Sequence, residues 1–155
     1  MCSMLKTMAV LAALSALGAS AARPALAKAE AHGLPGLSYE VLASGPTAGV
    51  QPTRGDQVMM RYVGRLADGA VFSTSGGGGT EPTAFKVREV IPGMSAALQL
   101  MRPGDKWRIT LPGYLAYGRL GRRYKPPEAT LKRDIPPDAT LMFEVELVSV
   151  APATP

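Results

Sequence analysis

Cysteine and histidine are almost missing from this chain: its 155 residues hold one Cys, Cys2, and one His, His32. A Cys/His metal centre cannot be assembled from that supply, and the carboxylates are scattered without the spacing of a calcium loop. Nucleophilic catalysis is equally poorly provided for, because no Ser/His or Cys/His pair and no Gly-x-Ser-x-Gly elbow can be drawn. Aromatic residues are few, at 6%, and they are not interleaved with the basic residues as in single-strand nucleic-acid binders. Long apolar runs are lacking too. The one candidate, residues 8–22, is interrupted by Ser15, Gly18 and Ser20 and falls short of the roughly 20 residues that a membrane span requires. A phosphate-binding loop is absent as well: four glycines, Gly76 to Gly79, are followed by Thr80-Glu81-Pro82 where Gly-Lys-Ser/Thr would have to open a helix.

What the chain does have is 46% hydrophobic residues, 17 Gly and 14 Pro, a composition that suits one globular, turn-rich domain. The N-terminus reads as an export signal. Lys6 supplies the positive region, residues 8–17 the apolar region, and Ala25-Leu26-Ala27 the small-x-small site, so cleavage is expected after Ala27, with Ala19-Ser20-Ala21 as the alternative. Cys2 precedes the apolar stretch, whereas a lipoprotein signal carries its cysteine at the cut. The remaining chain has no cysteine and must be stabilised by packing instead of disulfides. Loss of Lys6 and Arg23 takes the net charge from +5 to +3. A periplasmic or secreted protein follows, with neither nucleic acid nor, after cleavage, a membrane as partner.

Along the rest of the chain, residues 28–36 have no apolar period and are expected to form a flexible lead, which contains His32. Residues 37–42 alternate weakly, and 57–66 clearly, with Val58, Met60, Tyr62, Gly64 and Leu66 on one face. Asp68-Gly69 signals a hairpin into Ala70-Val71-Phe72. Residues 85–90 read as a strand, 94–101 as a helix stopped by Pro103-Gly104, and 106–111 and 141–150 as alternating strands. Residues 151–155 are expected to be a disordered tail. The fold class is α+β, a twisted antiparallel β-sheet wrapped around one short α-helix, leaving room for a ligand beside the helix.

Four motifs occur in order: Tyr62-Val63-Gly64-Arg65-Leu66-Ala67-Asp68-Gly69-Ala70-Val71-Phe72, then Val90-Ile91-Pro92-Gly93-Met94, then Leu115-Ala116-Tyr117-Gly118, then Ile135-Pro136-Pro137-Asp138-Ala139-Thr140-Leu141-Met142-Phe143-Glu144-Val145-Glu146-Leu147. Together they resemble the FKBP-type peptidyl-prolyl cis-trans isomerases over residues 37–150. The segments Pro82-Thr83-Ala84-Phe85-Lys86-Val87 and Leu98-Gln99-Leu100-Met101 are similar to the exported bacterial branch with the macrophage infectivity potentiator proteins. Those relatives carry a long N-terminal helical dimerisation domain, and this chain is expected to be a monomeric catalytic domain. The resemblance implies that Tyr62, Phe72, Ile91, Tyr117 and Phe143 are catalytic, that Phe85, Val90, Met94 and Ile135 bind substrate, and that no cofactor or metal takes part. It implies proline-containing unfolded or flexible polypeptides as substrates and macrolide-type immunosuppressants as ligands. The implied chemistry agrees with the missing nucleophiles, since rotation about an X-Pro bond, with a barrier of about 20 kcal/mol, needs neither covalent attack nor a metal.

Three departures stand out. Ser73 occupies the position where the family usually has an Asp, Met94 replaces the Trp of the pocket floor, and the segment between Tyr117 and Ile135 is extended. Ser73 and Met94 imply weaker turnover or altered ligand binding. The extension gathers Arg119, Arg122, Arg123, Lys125, Lys132 and Arg133, and Pro126-Pro127-Glu128-Ala129-Thr130-Leu131 is echoed ten residues later by Pro136-Pro137-Asp138-Ala139-Thr140-Leu141. The second copy is expected to be the structural one. The rival reading is a catalytically weak binding or chaperone module of the same fold that uses the pocket and the basic 119–133 loop.

Overall fold

A computed structural model describes residues 31–34, 36–128 and 132–153; the expected signal peptide, residues 1–27, lies outside them. Seven strands form one antiparallel sheet: β1 (Ala31–Leu34), β2 (Leu37–Ala43), β3 (Gln57–Leu66), β4 (Val71–Thr74), β5 (Thr83–Lys86), β6 (Lys106–Leu111) and β7 (Leu141–Ala151). Their order is β1-β2-β6-β7-β3-β4, with β5 also paired to β3. One α-helix, Pro92–Leu98, packs against the sheet, burying Met94, Ala97 and Leu98. Among the described residues no helix is long and apolar enough to cross a membrane.

The alternation of the sequence becomes the two faces of this sheet. Val58 and Met60 of β3, Trp107, Ile109 and Leu111 of β6, and Phe143, Val145 and Leu147 of β7 are buried on the helix side. The opposite face carries Arg61, Arg108, Glu144 and Glu146. There Arg61 pairs with Glu146 at 2.8 Å, and Arg108 pairs with Glu40 at 2.8 Å and Glu144 at 3.1 Å. Trp107 stacks on Tyr39 at 4.2 Å between ring centroids, so it belongs to the core.

Several boundaries differ from those read in the sequence, each for a local reason. Part of the expected flexible lead is β1, whose backbone pairs with β2 from Ala31 opposite Glu40 to Leu34 opposite Leu37. The turn between them contains Gly36, which has φ +80°, a conformation open to glycine at little cost. The strand read over 85–90 is instead β5, ending at Lys86, because the chain then turns to bury Val87 and to donate its N–H to the Asp56 carbonyl. The helix starts two residues earlier than the apolar pattern suggested, since Pro92 fits the first helical turn, where its missing N–H costs nothing. It ends at Leu98 in tighter turns, with the Leu100 and Met101 N–H groups bonded to the carbonyls of Ala97 and Leu98. Of the two proline-rich copies, the second leads into the sheet, with Leu141 fully buried as the first residue of β7.

The tail read over 151–155 is tied down at its start, because β7 extends to Ala151 and the Ala153 N–H donates to Asp56 Oδ1 at 3.0 Å. Asp56 Oδ2 accepts the Thr53 N–H at 2.7 Å, so one carboxylate joins the loop before β3 to the end of β7. These backbone donors hold the Asp56 carboxyl below the usual carboxylate range, against a smaller opposing effect of burial. A depressed folded-state value contributes stability that is present at neutral pH and is lost as pH falls through it. Asp56→Asn is therefore expected to lower the urea midpoint at about pH 7, with the gap to wild type closing toward about pH 3. A gap that stays constant with pH would contradict this assignment.

Candidate functional site

The far edge of β3 builds the site. β4 pairs with β3 at residues 63–65 and β5 at residues 57–60, leaving Tyr62 between them without a strand partner on that side. Ser75 fills the gap: its N–H donates to the Tyr62 carbonyl at 3.0 Å and its Oγ accepts the Tyr62 N–H at 3.1 Å. The four glycines that follow form a tight turn, Gly76–Gly79, in which Gly77 and Gly78 have positive φ. This excursion separates β4 from β5, and a cavity of about 200 Å³ opens on the helix side of the sheet.

Eight of the nine residues expected at the site line that cavity: Tyr62, Phe72, Phe85, Val90, Ile91, Met94, Tyr117 and Phe143. The aromatic rings interlock. Phe72 meets Phe143 edge-on at 5.5 Å, Tyr62 meets Phe85 edge-on at 5.8 Å, and Tyr62 lies 6.3 Å from Phe143, within the range of favourable aromatic pairs. Met94 reaches the cavity from the first turn of the helix and is itself 3% exposed. Ile91 precedes Pro92 in an extended conformation, ψ 149°, as the residue before a proline prefers. Its N–H donates in no hydrogen bond among the described residues.

Ile135, the ninth, is not part of the lining. It is buried in the core, and its backbone exchanges two hydrogen bonds with Arg122, at 2.9 and 2.8 Å, which turns it into an anchor for the extended loop. That loop supplies residues the sequence reading did not place at the site: Arg122, Tyr124 and Lys132 line the cavity, together with Met60 and Glu89. The basic cluster and the single aromatic within it were visible in sequence. The resemblance implied a loop bordering the pocket, but not which of its residues reach the cavity.

Ser73 has a definite role despite lacking a carboxylate. Its hydroxyl and that of Tyr62 share a hydrogen bond of 2.9 Å. Burial pushes the Tyr62 phenol above its ordinary value, the Ser73 bond opposes this, and the nearby Tyr117 adds to it. Tyr124 is raised more strongly, first by burial and then by the nearby Tyr117. Both phenols are therefore neutral hydrogen-bonding groups at physiological pH. Among the described residues no three His, Cys, Asp or Glu side chains gather into a metal-holding group. The arrangement can enclose an apolar ring, present neutral hydroxyls to a carbonyl, and exclude water from both.

The sequence and the fold are shared with known proteins. Residues 49–148 match the model of the family described as FKBP-type peptidyl-prolyl cis-trans isomerase. The chain belongs to that family. It is 44% identical over 115 residues to the FKBP-type 22 kDa peptidyl-prolyl cis-trans isomerase of Escherichia coli, covering 74% of this chain and 50% of the relative. It is 37% identical over 118 residues to the outer membrane protein MIP of Legionella longbeachae, covering 76% and 46%. A crystal structure of a peptidyl-prolyl cis-trans isomerase from Pseudomonas syringae pv. tomato superposes with a TM-score of 0.63 at 34% identity, covering 84% of each chain. The chain thus spans about half the length of the two curated relatives, and its α+β sheet and helix are those of the FKBP fold.

Two consequences can be measured. A Cβ at Gly64 would lie 2.6 Å from Phe72 Cζ and 3.0 Å from Phe143 Cε1, so Gly64→Ala must displace the pocket rings. It is expected to cost about 1–3 kcal/mol in urea unfolding, and a cost below the measurement error would show that the rings are free to move. Ser73→Ala removes a bond that favours the Tyr62 phenolate, so the Tyr62 value is expected to rise further in a tyrosine-ring NMR titration. An unchanged or lower value would mean that Ser73 is not its partner.

Proposed function

We propose that this chain catalyses cis-trans isomerisation of X-Pro bonds in unfolded or flexible polypeptides, acting as an exported folding catalyst. The observation that carries the reading is the aromatic cavity of Tyr62, Phe72, Phe85 and Phe143, closed below by Met94, in a chain of the FKBP-type isomerase family. The planar amide is more dipolar than the twisted one, so transfer from water into this cavity favours the transition state over the ground state. The proline ring sits among Phe72, Phe143 and Met94. The Ile91 N–H and the Tyr117 hydroxyl donate to substrate carbonyls and strengthen their hold as the bond twists. Rotation then needs no bond to any side chain.

Export to the periplasm or beyond rests on the N-terminal apolar run and its Ala25-Leu26-Ala27 site, and the name of the Legionella relative points to the same envelope setting. Macrolide-type ligands would compete for the same cavity. The rival reading, a module that binds without turnover, drew on Ser73 and Met94. The Ser73–Tyr62 bond and the seating of Met94 in the lining favour the isomerase.

The test is exchange spectroscopy on a blocked Ala-Leu-Pro-Phe peptide with the purified protein, which needs no coupling protease. Cis-trans exchange is expected to accelerate, to fall about tenfold or more in Phe72→Ala, and to fall several-fold in Tyr117→Phe, as loss of one hydrogen bond implies. Peptide signals perturbed by binding without any acceleration would decide for the binding module.

A further inference from the structure

The cavity carries a cationic rim that isomerisation as such does not require. Arg122 Cζ lies 5.5 Å from the centre of the Tyr117 ring and 5.1 Å from that of Tyr124, and Lys132 Nζ lies 5.2 Å from the Tyr124 ring. Two cations thus hold to one aromatic wall of the pocket. Such contacts fix the position of a cation without using its N–H donors. Neither Arg122 nor Lys132 has a carboxylate partner among the described residues. The one acid in the lining, Glu89, is already engaged with Lys86 at 3.3 Å and Arg88 at 4.0 Å.

The rim is held in place from several directions. Arg122 and Ile135 exchange backbone hydrogen bonds, the Tyr124 N–H donates to Asp134 Oδ1 at 2.9 Å, the Lys132 N–H donates to the Glu128 carbonyl at 2.9 Å, and the Arg133 N–H donates to the Phe72 carbonyl at 3.0 Å. The last of these ties the loop to the strand that supplies a pocket ring. Residues 119–134 also hold six basic against two acidic residues, so the field over the cavity mouth is positive.

From this we infer that the extended loop is a specificity element that selects X-Pro segments with a carboxylate side chain within two positions of the proline, Arg122 and Lys132 being the residues that read it. The inference rests on the isomerase reading above. A substrate whose proline occupies the aromatic cavity must run its flanking residues past the Tyr117 and Tyr124 wall, where a carboxylate meets two cations that have no acidic partner among the described residues and a lysine is repelled by both.

The test compares exchange rates for four blocked peptides, Ala-Glu-Pro-Phe and Ala-Lys-Pro-Phe, then Ala-Leu-Pro-Glu and Ala-Leu-Pro-Lys, with Ala-Leu-Pro-Phe as reference. In one pair at least, the acidic peptide is expected to be favoured in kcat/KM by about tenfold at low ionic strength. The ratio should shrink several-fold in about 0.5 M NaCl, where screening acts over a few ångströms. Arg122→Glu combined with Lys132→Glu is expected to reverse the order, and the salt dependence of the wild-type ratio is decisive even where that variant folds poorly. Acidic and basic peptides within about twofold of each other in both pairs, or a ratio indifferent to salt, would overturn the inference while leaving the isomerase intact. Absence of exchange for every peptide, the leucine reference included, would overturn the isomerase reading and the inference with it.

Discussion

The pairing of β3 with β7 is the constraint on which the rest of this molecule depends. It runs from Gln57 opposite Ala151 to Leu66 opposite Leu141, with one irregularity between Met59 and Met60. Because side chains alternate along a strand, this register decides which residues face the helix, and a slip by one residue would turn the whole inner face outward. With the register as it is, Gly64 lies opposite Phe143 and Tyr62 opposite Val145. The missing side chain at Gly64 leaves the space into which the Phe72 and Phe143 rings pack. The ring cluster that lines the cavity depends on this ladder and on the glycine at 64.

The opposite edge of β3 explains why there is a pocket and not a continuous sheet. Two short strands share that edge, and Ser75 supplies the hydrogen bonds that a further residue of either strand would have made. A buried backbone group left unpaired is costly, so the break between β4 and β5 depends on this one serine. Ser73, two residues earlier, partners the Tyr62 phenol. A hydroxyl at that position keeps the tyrosine satisfied without adding charge to an apolar site, where an unpaired charge would be expensive.

The cations of the extended loop are the other organised feature. They stack on Tyr117 and Tyr124 and leave the aromatic interior free. In the proposed isomerase, charge at the mouth and dryness inside serve different ends: the first would sort the segments that arrive, and the second would lower the barrier to rotation once a proline is seated.

Much of this was legible in the sequence because the period of a half-buried strand is two. The inner faces of β3, β6 and β7 can be read from Val58 and Met60, from Trp107, Ile109 and Leu111, and from Phe143, Val145 and Leu147. Ordered motifs identified the family and placed eight lining residues, since those positions are tied to turns and strands with local signatures. Where local signals conflict with tertiary ones, the sequence reading ran out. Residues 31–34 have no apolar period and yet form β1, because the open edge of β2 offers backbone partners to a chain that turns back at Gly36. Ile135 lies in the core and Arg122, Tyr124 and Lys132 at the pocket because a bridge closes the extended loop across thirteen residues, and no local pattern encodes a contact of that span. Alternation along the strands determined the faces of the sheet and the identity of the pocket rings; only the tertiary closure of the loop, through backbone hydrogen bonds between distant residues, decided which charges stand over them.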